Sequence, residues 1–203
     1  MSTDRQALTA VAIHPLIAGR WSPRAIDPEQ PVTREQITAL LEAGRWAPSC
    51  FGDEPWRFLV FDRARDSEAW DQAFACLAEG NRAWVINAPL LLAAVAGSRF
   101  RFNDKPNRWA QYDTGAASEN LCLQASALGL VAHQMGGFDG KRLAERFAIP
   151  EEYTPMAMIA IGHPGDPAEL PEALREKEQA PRQRQALGEI AFSGRWSVSY
   201  KPG

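Results

Sequence analysis

Lysine is scarce in this chain: 22 basic residues divide into 18 arginines and 4 lysines, and 25 acidic residues leave a net charge of −3. That balance offers no general polyanion-binding surface, so nucleic acid is not expected as a partner. Cysteine is sparse too. Cys50, Cys76 and Cys122 are odd in number and lack C-x-x-C spacing, which argues against a disulfide framework or a zinc site and suits a reducing compartment. The longest apolar run, Ala88 to Gly97, is too short to span a bilayer, and the N-terminus lacks the basic flank and apolar core of a secretion signal. A cytoplasmic protein with no membrane partner is expected.

Common catalytic signatures are missing as well. No G-x-G-x-x-G follows a strand, Gly140-Lys141 lacks the rest of a P-loop, and no G-x-S-x-G elbow occurs. His14, His133 and His163 have no acidic or cysteine partner at ligand spacing, so no metal is assigned.

What is present is a chain of 203 residues, enough for one domain over residues 1–203, with an ordinary hydrophobic fraction of 45%. Thr33 to Gln36 fits a capping box, and Ile37, Leu40, Leu41 and Gly44 recur at helical spacing until Pro48, predicting a helix over 34–46. Trp70, Ala73, Phe74 and Leu77 share the face of a second helix. The run from Ala88 to Gly97 is apolar on both alternating faces, as a central strand requires, although periodicity alone leaves a short buried helix open. Asp113 to Leu128, rich in Ala, Ser and Gly, reads as a buried helix packed closely on a neighbour. Asp139 is placed to cap a short helix containing Leu143 and Phe147, and Met156 to Ile161 reads as a strand. The proline-punctuated stretch from Pro164 to Pro181 reads as extended or loop-like, and Ile190 to Phe192 as a last short strand.

Trp46 to Phe61 (W-A-P-S-C-F-G-D-E-P-W-R-F-L-V-F) couples a helix stop, a polar loop and a strand. Pro48 cannot continue a helix without losing a donor, and Pro55 excludes the helical region at Glu54. Arg20-Trp21-Ser22-Pro23-Arg24 sets two guanidiniums and a hydroxyl within five residues, and Arg182-Gln183-Arg184 is a similar pair far off in sequence. Planar guanidiniums suit bidentate phosphate recognition, although either cluster alone reads equally well as a solvated surface.

Together with Asn81 in E-G-N-R-A-W, the D-T-G-A-A-S-E-N-L helix and the M-G-G-F-D turn, these segments occur in an order that resembles the flavin-dependent nitroreductase family across most of the chain. The resemblance implies an α+β fold with a mixed, mostly antiparallel sheet flanked by helices. It also implies an intertwined homodimer, in which a C-terminal segment over 165–203 extends across the partner and each of two interface sites holds one FMN. Carried over by position, Arg20, Trp21, Ser22 and Arg24, with Arg182 and Arg184, would hold the FMN phosphate and ribityl chain, Trp21 mainly through its backbone. Asn81 would bond the polar edge of the ring, and Gly136 and Gly137 would let amides approach its N5 edge. Pro48, Ser49, Cys50 and Gly52 would lie on the loop that the other subunit packs against the ring.

The implied activity is a ping-pong reaction in which NADH or NADPH reduces the flavin and a small-molecule acceptor, a nitroaromatic or quinone, reoxidises it. No side chain is assigned as catalytic, because the cofactor carries the hydride chemistry. The family usually writes the loop A-P-S-S-x-N-x-Q-P-W, so this chain departs at Cys50, Gly52 and Glu54, and Glu54 is a candidate partner for Arg57. Trp46, Phe51, Trp56, Trp84 and Trp109 are candidates for stacking on a planar acceptor, and Phe100 to Trp109 for a lid. A flavin-dependent dehalogenase or ring-oxidising enzyme on the same scaffold, and a storage protein for FMN, are the alternatives.

Overall fold

A computed structural model describes residues 5–201. Eight helices and four strands alternate along these residues: α1 (Pro15–Gly19), α2 (Arg34–Arg45), β1 (Trp56–Asp62), α3 (Ser67–Phe74), α4 (Glu79–Val85), β2 (Leu90–Gly97), α5 (Ala110–Ala127), β3 (Val131–Met135), α6 (Gly140–Arg146), β4 (Tyr153–Gly162), α7 (Glu172–Gln179) and α8 (Leu187–Ile190). The strands form one sheet in the order β1-β2-β4-β3. All three pairings are antiparallel.

Every position of β2 is buried, because helices cover both faces of the sheet. Leu91 and Ala93 point with Met158 and Ala160 into a core that includes Trp70 of α3, Trp84 of α4 and Leu143 of α6. Leu90, Leu92 and Ala94 point the other way, with Ile159 and Ile161, onto Leu40 of α2 and Leu121, Cys122 and Ala125 of α5. The unbroken apolar run that left helix and strand undecided is therefore the centre of a three-layer α/β/α arrangement.

The N-terminus of α2 forms as its sequence predicts, with Thr33 Oγ1 accepting from the Gln36 N–H at 3.2 Å and the Gln36 amide oxygen accepting from the Thr33 N–H at 2.8 Å. This helix lies against α5 at close range: a Cβ on Gly44 would stand 3.3 Å from the Ala117 carbonyl oxygen. Asn120 Nδ2 donates across the same seam to the Ala43 carbonyl at 3.2 Å. Asp139 caps α6 by accepting from the Arg142 N–H at 2.9 Å.

Two expectations fail near the C-terminus. The stretch from Pro164 to Pro181 is not loop throughout, since Glu172–Gln179 is helical with Pro171 at its N-cap. Its eight residues are mainly strong helix formers, and prolines stand only outside them, where they start and stop the helix instead of breaking it. The last strand is likewise replaced by α8 and an isolated bridge between Phe192 and Ser199. No helix among the described residues is long and apolar enough to cross a membrane.

Candidate functional site

The segment Arg20 to Arg24 leaves α1 and is held in place by the C-terminal part of the chain. Arg182 Nη1 donates to the carbonyls of Arg5 at 2.5 Å and Ala18 at 2.7 Å, and its Nη2 donates to that of Arg20 at 3.0 Å. Arg5 lies 4.4 Å over the Trp21 ring and donates to the Ala180 carbonyl. Arg20 Nε pairs with Glu119 of α5 at 3.0 Å. Burial first, and then the charges of Arg20, Arg184 and Arg5, push the Arg182 pKa down. Four guanidiniums thus crowd one region. Arg184 donates to its neighbour's carbonyl, that of Gln183, at 2.8 Å.

Glu178 of α7 holds the other end of this segment. Its buried carboxylate accepts from the Arg24 N–H at 2.9 Å and the Ala25 N–H at 3.1 Å, with the Arg24 guanidinium 3.8 Å away. Ser22 and Arg24 are half-buried between these anchors. His133 of β3 adds a third anchor through a 3.0 Å bond between its Nδ1 and the Pro23 carbonyl. A carbonyl can only accept, so Nδ1 carries the proton. Burial pushes the His133 pKa down to about 4, against a smaller upward effect of the Pro23 bond.

The strand that carries His133 runs directly into Gly136 and Gly137, where the next group of expected residues meets. The Gly137 carbonyl accepts from Asn81 Nδ2 at 2.9 Å and from the Ala78 N–H at 2.9 Å. An ideal Cβ at Gly137 would sit 2.8 Å from Asn81 Nδ2, so the close approach requires glycine here, whereas a Cβ at Gly136 meets open space. Asn81, Gly136 and Gly137 are therefore assembled as one unit, although 56 residues separate the hydrogen-bonded pair.

The loop after α2 is built around left-handed backbone: φ is 56° at Phe51, 63° at Gly52 and 50° at Glu54. Pro48 follows the helix end, and Ser49 Oγ accepts from the Glu54 N–H at 3.0 Å. The Cys50 N–H donates to the buried carboxylate of Asp113, in the first turn of α5, at 3.0 Å. Burial and then the charges of Asp113 and Asp53 push the Cys50 thiol pKa up, which disfavours the thiolate. Arg57 does meet Glu54, but it donates to the carbonyl at 3.0 Å.

The aromatic candidates separate cleanly. Trp56 and Trp84 are core, whereas Trp46, Phe51 and Trp109 are exposed. Three buried carboxylates that anchor the loops, Asp53, Asp113 and Glu178, carried no sequence signal. The elements also separate the expected residues into two groups. Cys50 rests on the first turn of α5, while Arg20, Trp21 and Pro23 line a cleft with Ser126 in its last turn and Val131 at the start of β3. At 1.5 Å per residue, Glu119, which pairs with Arg20, stands about 9 Å from Asp113 along the helix.

Comparison with known proteins bears on this arrangement. The model of the Nitroreductase family matches residues 17–163. A crystal structure described as an oxidoreductase containing FMN superimposes with a TM-score of 0.88 at 36% sequence identity, covering 97% of this chain and 98% of the other. An uncharacterized 15.4 kDa protein of Mycolicibacterium smegmatis is 39% identical over 147 residues, which are 69% of this chain and 97% of the relative. A Streptomyces coelicolor protein with the provisional name NADH dehydrogenase/NAD(P)H nitroreductase is 30% identical over 171 residues, covering 72% of this chain and 83% of that protein.

Proposed function

Because the chain belongs to the nitroreductase family, with its fold and most of its length, we propose that it is an FMN-dependent oxidoreductase that uses NADH or NADPH to reduce an organic acceptor in a ping-pong cycle. The observation that carries this reading is the crowding of Arg5, Arg20 and Arg184 around Arg182, with Glu119 the one carboxylate paired to the group among the described residues. Such a cluster is relieved by an anion, and a phosphate monoester fits its forked donors.

The remaining residues fit the rest of the cofactor. Arg24 and Ser22, fixed by Glu178 and His133, lie beside the cluster on the same segment. Asn81 and Gly136-Gly137, three residues beyond His133, present an amide and an unobstructed backbone suited to the polar edge of a flavin ring. When bound, FMN supplies the hydride chemistry. The protein's part is to orient the ring, aim amide donors at its polar edge and keep water from one face.

By the family resemblance, Pro48, Ser49 and Cys50 come to this site from a second copy of the chain. A homodimer fits the exposed apolar residues as well. Leu8 is 96% exposed, Trp196 84% and Tyr112 81%, and a partner subunit could cover them.

Purified protein is expected to be yellow and to release FMN on denaturation. NADH or NADPH should bleach it under anaerobic conditions, and menadione should restore the colour. Arg184→Ala should weaken FMN retention about tenfold or more, through loss of one charge-assisted phosphate contact. A colourless protein that cannot be reconstituted overturns the proposal. Yellow protein that neither nicotinamide bleaches would indicate the storage role.

A further inference from the structure

Segment 98–109 is fastened to the loop after α2 by a single carboxylate, that of Asp53, which is 1% exposed. Its Oδ1 accepts from the Arg101 N–H at 2.8 Å, and its Oδ2 accepts from Asn107 Nδ2 at 3.1 Å. Arg101 returns the contact by donating through Nε to the Asp53 carbonyl at 2.6 Å and through Nη2 to the Gly52 carbonyl at 3.3 Å. Asn107 is buried as well, and its Oδ1 accepts from the Trp109 N–H at 3.0 Å. A buried charge is costly unless it is paired and hydrogen-bonded, and here all of that satisfaction is spent on joining two separate stretches of chain.

The join places three aromatic rings side by side. Phe51 lies 5.8 Å from Phe100 and 5.6 Å from Phe102, edge to face in both cases, and Phe100 lies 5.3 Å from Phe102. A group assembled to fill a core would be buried, yet Phe51 is 79% exposed and Phe102 60%. The rings share one patch in which Phe51 and Phe102 are open and Phe100 is half-buried. Phe51 follows Cys50, so the patch borders the residues proposed to face the flavin.

We infer that Asp53 is a positioning residue of the acceptor pocket: it holds segment 98–109 against Phe51, so that Phe51, Phe100 and Phe102 form an aromatic cap that selects flat ring acceptors of the quinone type over small, strongly hydrated ones. The inference rests on the oxidoreductase reading and on the placement of residues 48–50 beside the ring. Asp53 shapes the cap without touching the acceptor, and the rings supply stacking surface.

The test uses the full-length, flavin-loaded protein and compares KM for menadione with KM for ferricyanide in wild type, Asp53→Ala, Asp53→Asn and Phe102→Ala. Trypsin cleavage at Arg99 and Arg101 gives a readout independent of activity. Asp53→Ala should raise KM for menadione about tenfold, the scale of one lost charge-assisted contact, while KM for ferricyanide moves less than twofold. It should also speed cleavage. Asp53→Asn keeps one acceptor oxygen and should fall between. Phe102→Ala, at an exposed side chain, should raise the menadione KM without changing cleavage.

Asp53→Ala protein in which the two KM values move together, or neither moves, overturns the inference. Should that variant not fold, an unchanged KM ratio in Phe102→Ala does so. These failures arise in flavin-loaded protein and leave the oxidoreductase reading standing. Wild type that carries no FMN removes both.

Discussion

The two loops that carry most of the expected site residues are fixed by the same device at very different range. Around Arg20 to Arg24, backbone groups are held by Glu178 and Arg182, 154 and 162 residues away in sequence. Around Ser49 to Glu54 the Cys50 N–H is held by Asp113 and the Asp53 carbonyl by Arg101, across 63 and 48 residues. In both, a buried charge binds main chain from another element, so loop shape does not depend on the loop's own propensities. The difference is that the first loop depends on docking of the C-terminal segment, whereas the second is complete without it.

The strongest way to break this comparison is Glu178→Ala. It strands the N–H groups of Arg24 and Ala25 and leaves the Arg24 guanidinium without its partner, which should cost about 3 kcal/mol in denaturant unfolding. Amide exchange should quicken at Arg24 and Ala25 and stay unchanged at Cys50; equal acceleration at all three would show that the loops are not independent. Asp113→Ala should give the converse pattern at a smaller cost, about 2 kcal/mol, because one backbone bond is lost.

Gly137→Ala sharpens the picture at the junction between the groups. The added Cβ pushes Asn81 Nδ2 away and forfeits a hydrogen bond worth about 1 kcal/mol, so FMN retention should fall severalfold with little change in fold by circular dichroism.

A further effect concerns pH. The His133 pKa is about 4 when folded against an ordinary 6.5, so the unfolded state takes up the proton first as pH falls. The stabilisation is fully present above about 6.5 and is lost as pH drops toward about 4. His133→Gln should flatten the wild-type slope of stability in that window, and identical slopes would show that this ring does not contribute.

How much of this was legible in the sequence depended on range. The capping box at Thr33 and Gln36 and the cap at Asp139 are local, and the structure realises both. The apolar run of β2 was legible because burial on both faces leaves a composition that little else produces. Asn81 and Gly137 were each singled out through the family resemblance, but their pairing was not, since nothing in either segment alone points to the other. Asp53, Asp113 and Glu178 were illegible for the same reason: each looks like an ordinary solvated acid until the fold delivers its donors from 48 or more residues away. The helix Glu172–Gln179 was misread because the flanking prolines masked a run of helix formers.

The positive φ of 63° at Gly52 bears on the most unusual position in the chain. Asparagine, which the family usually writes there, is the side-chain-bearing residue that best tolerates left-handed backbone, and a Cβ at Gly52 would meet nothing within 4 Å. The departure from the family therefore preserves the path of the chain and deletes only an amide. In evolutionary terms the two states are one substitution apart on an unchanged scaffold, so the amide can be restored or removed without remodelling the loop. A β-branched residue would be barred by the backbone alone.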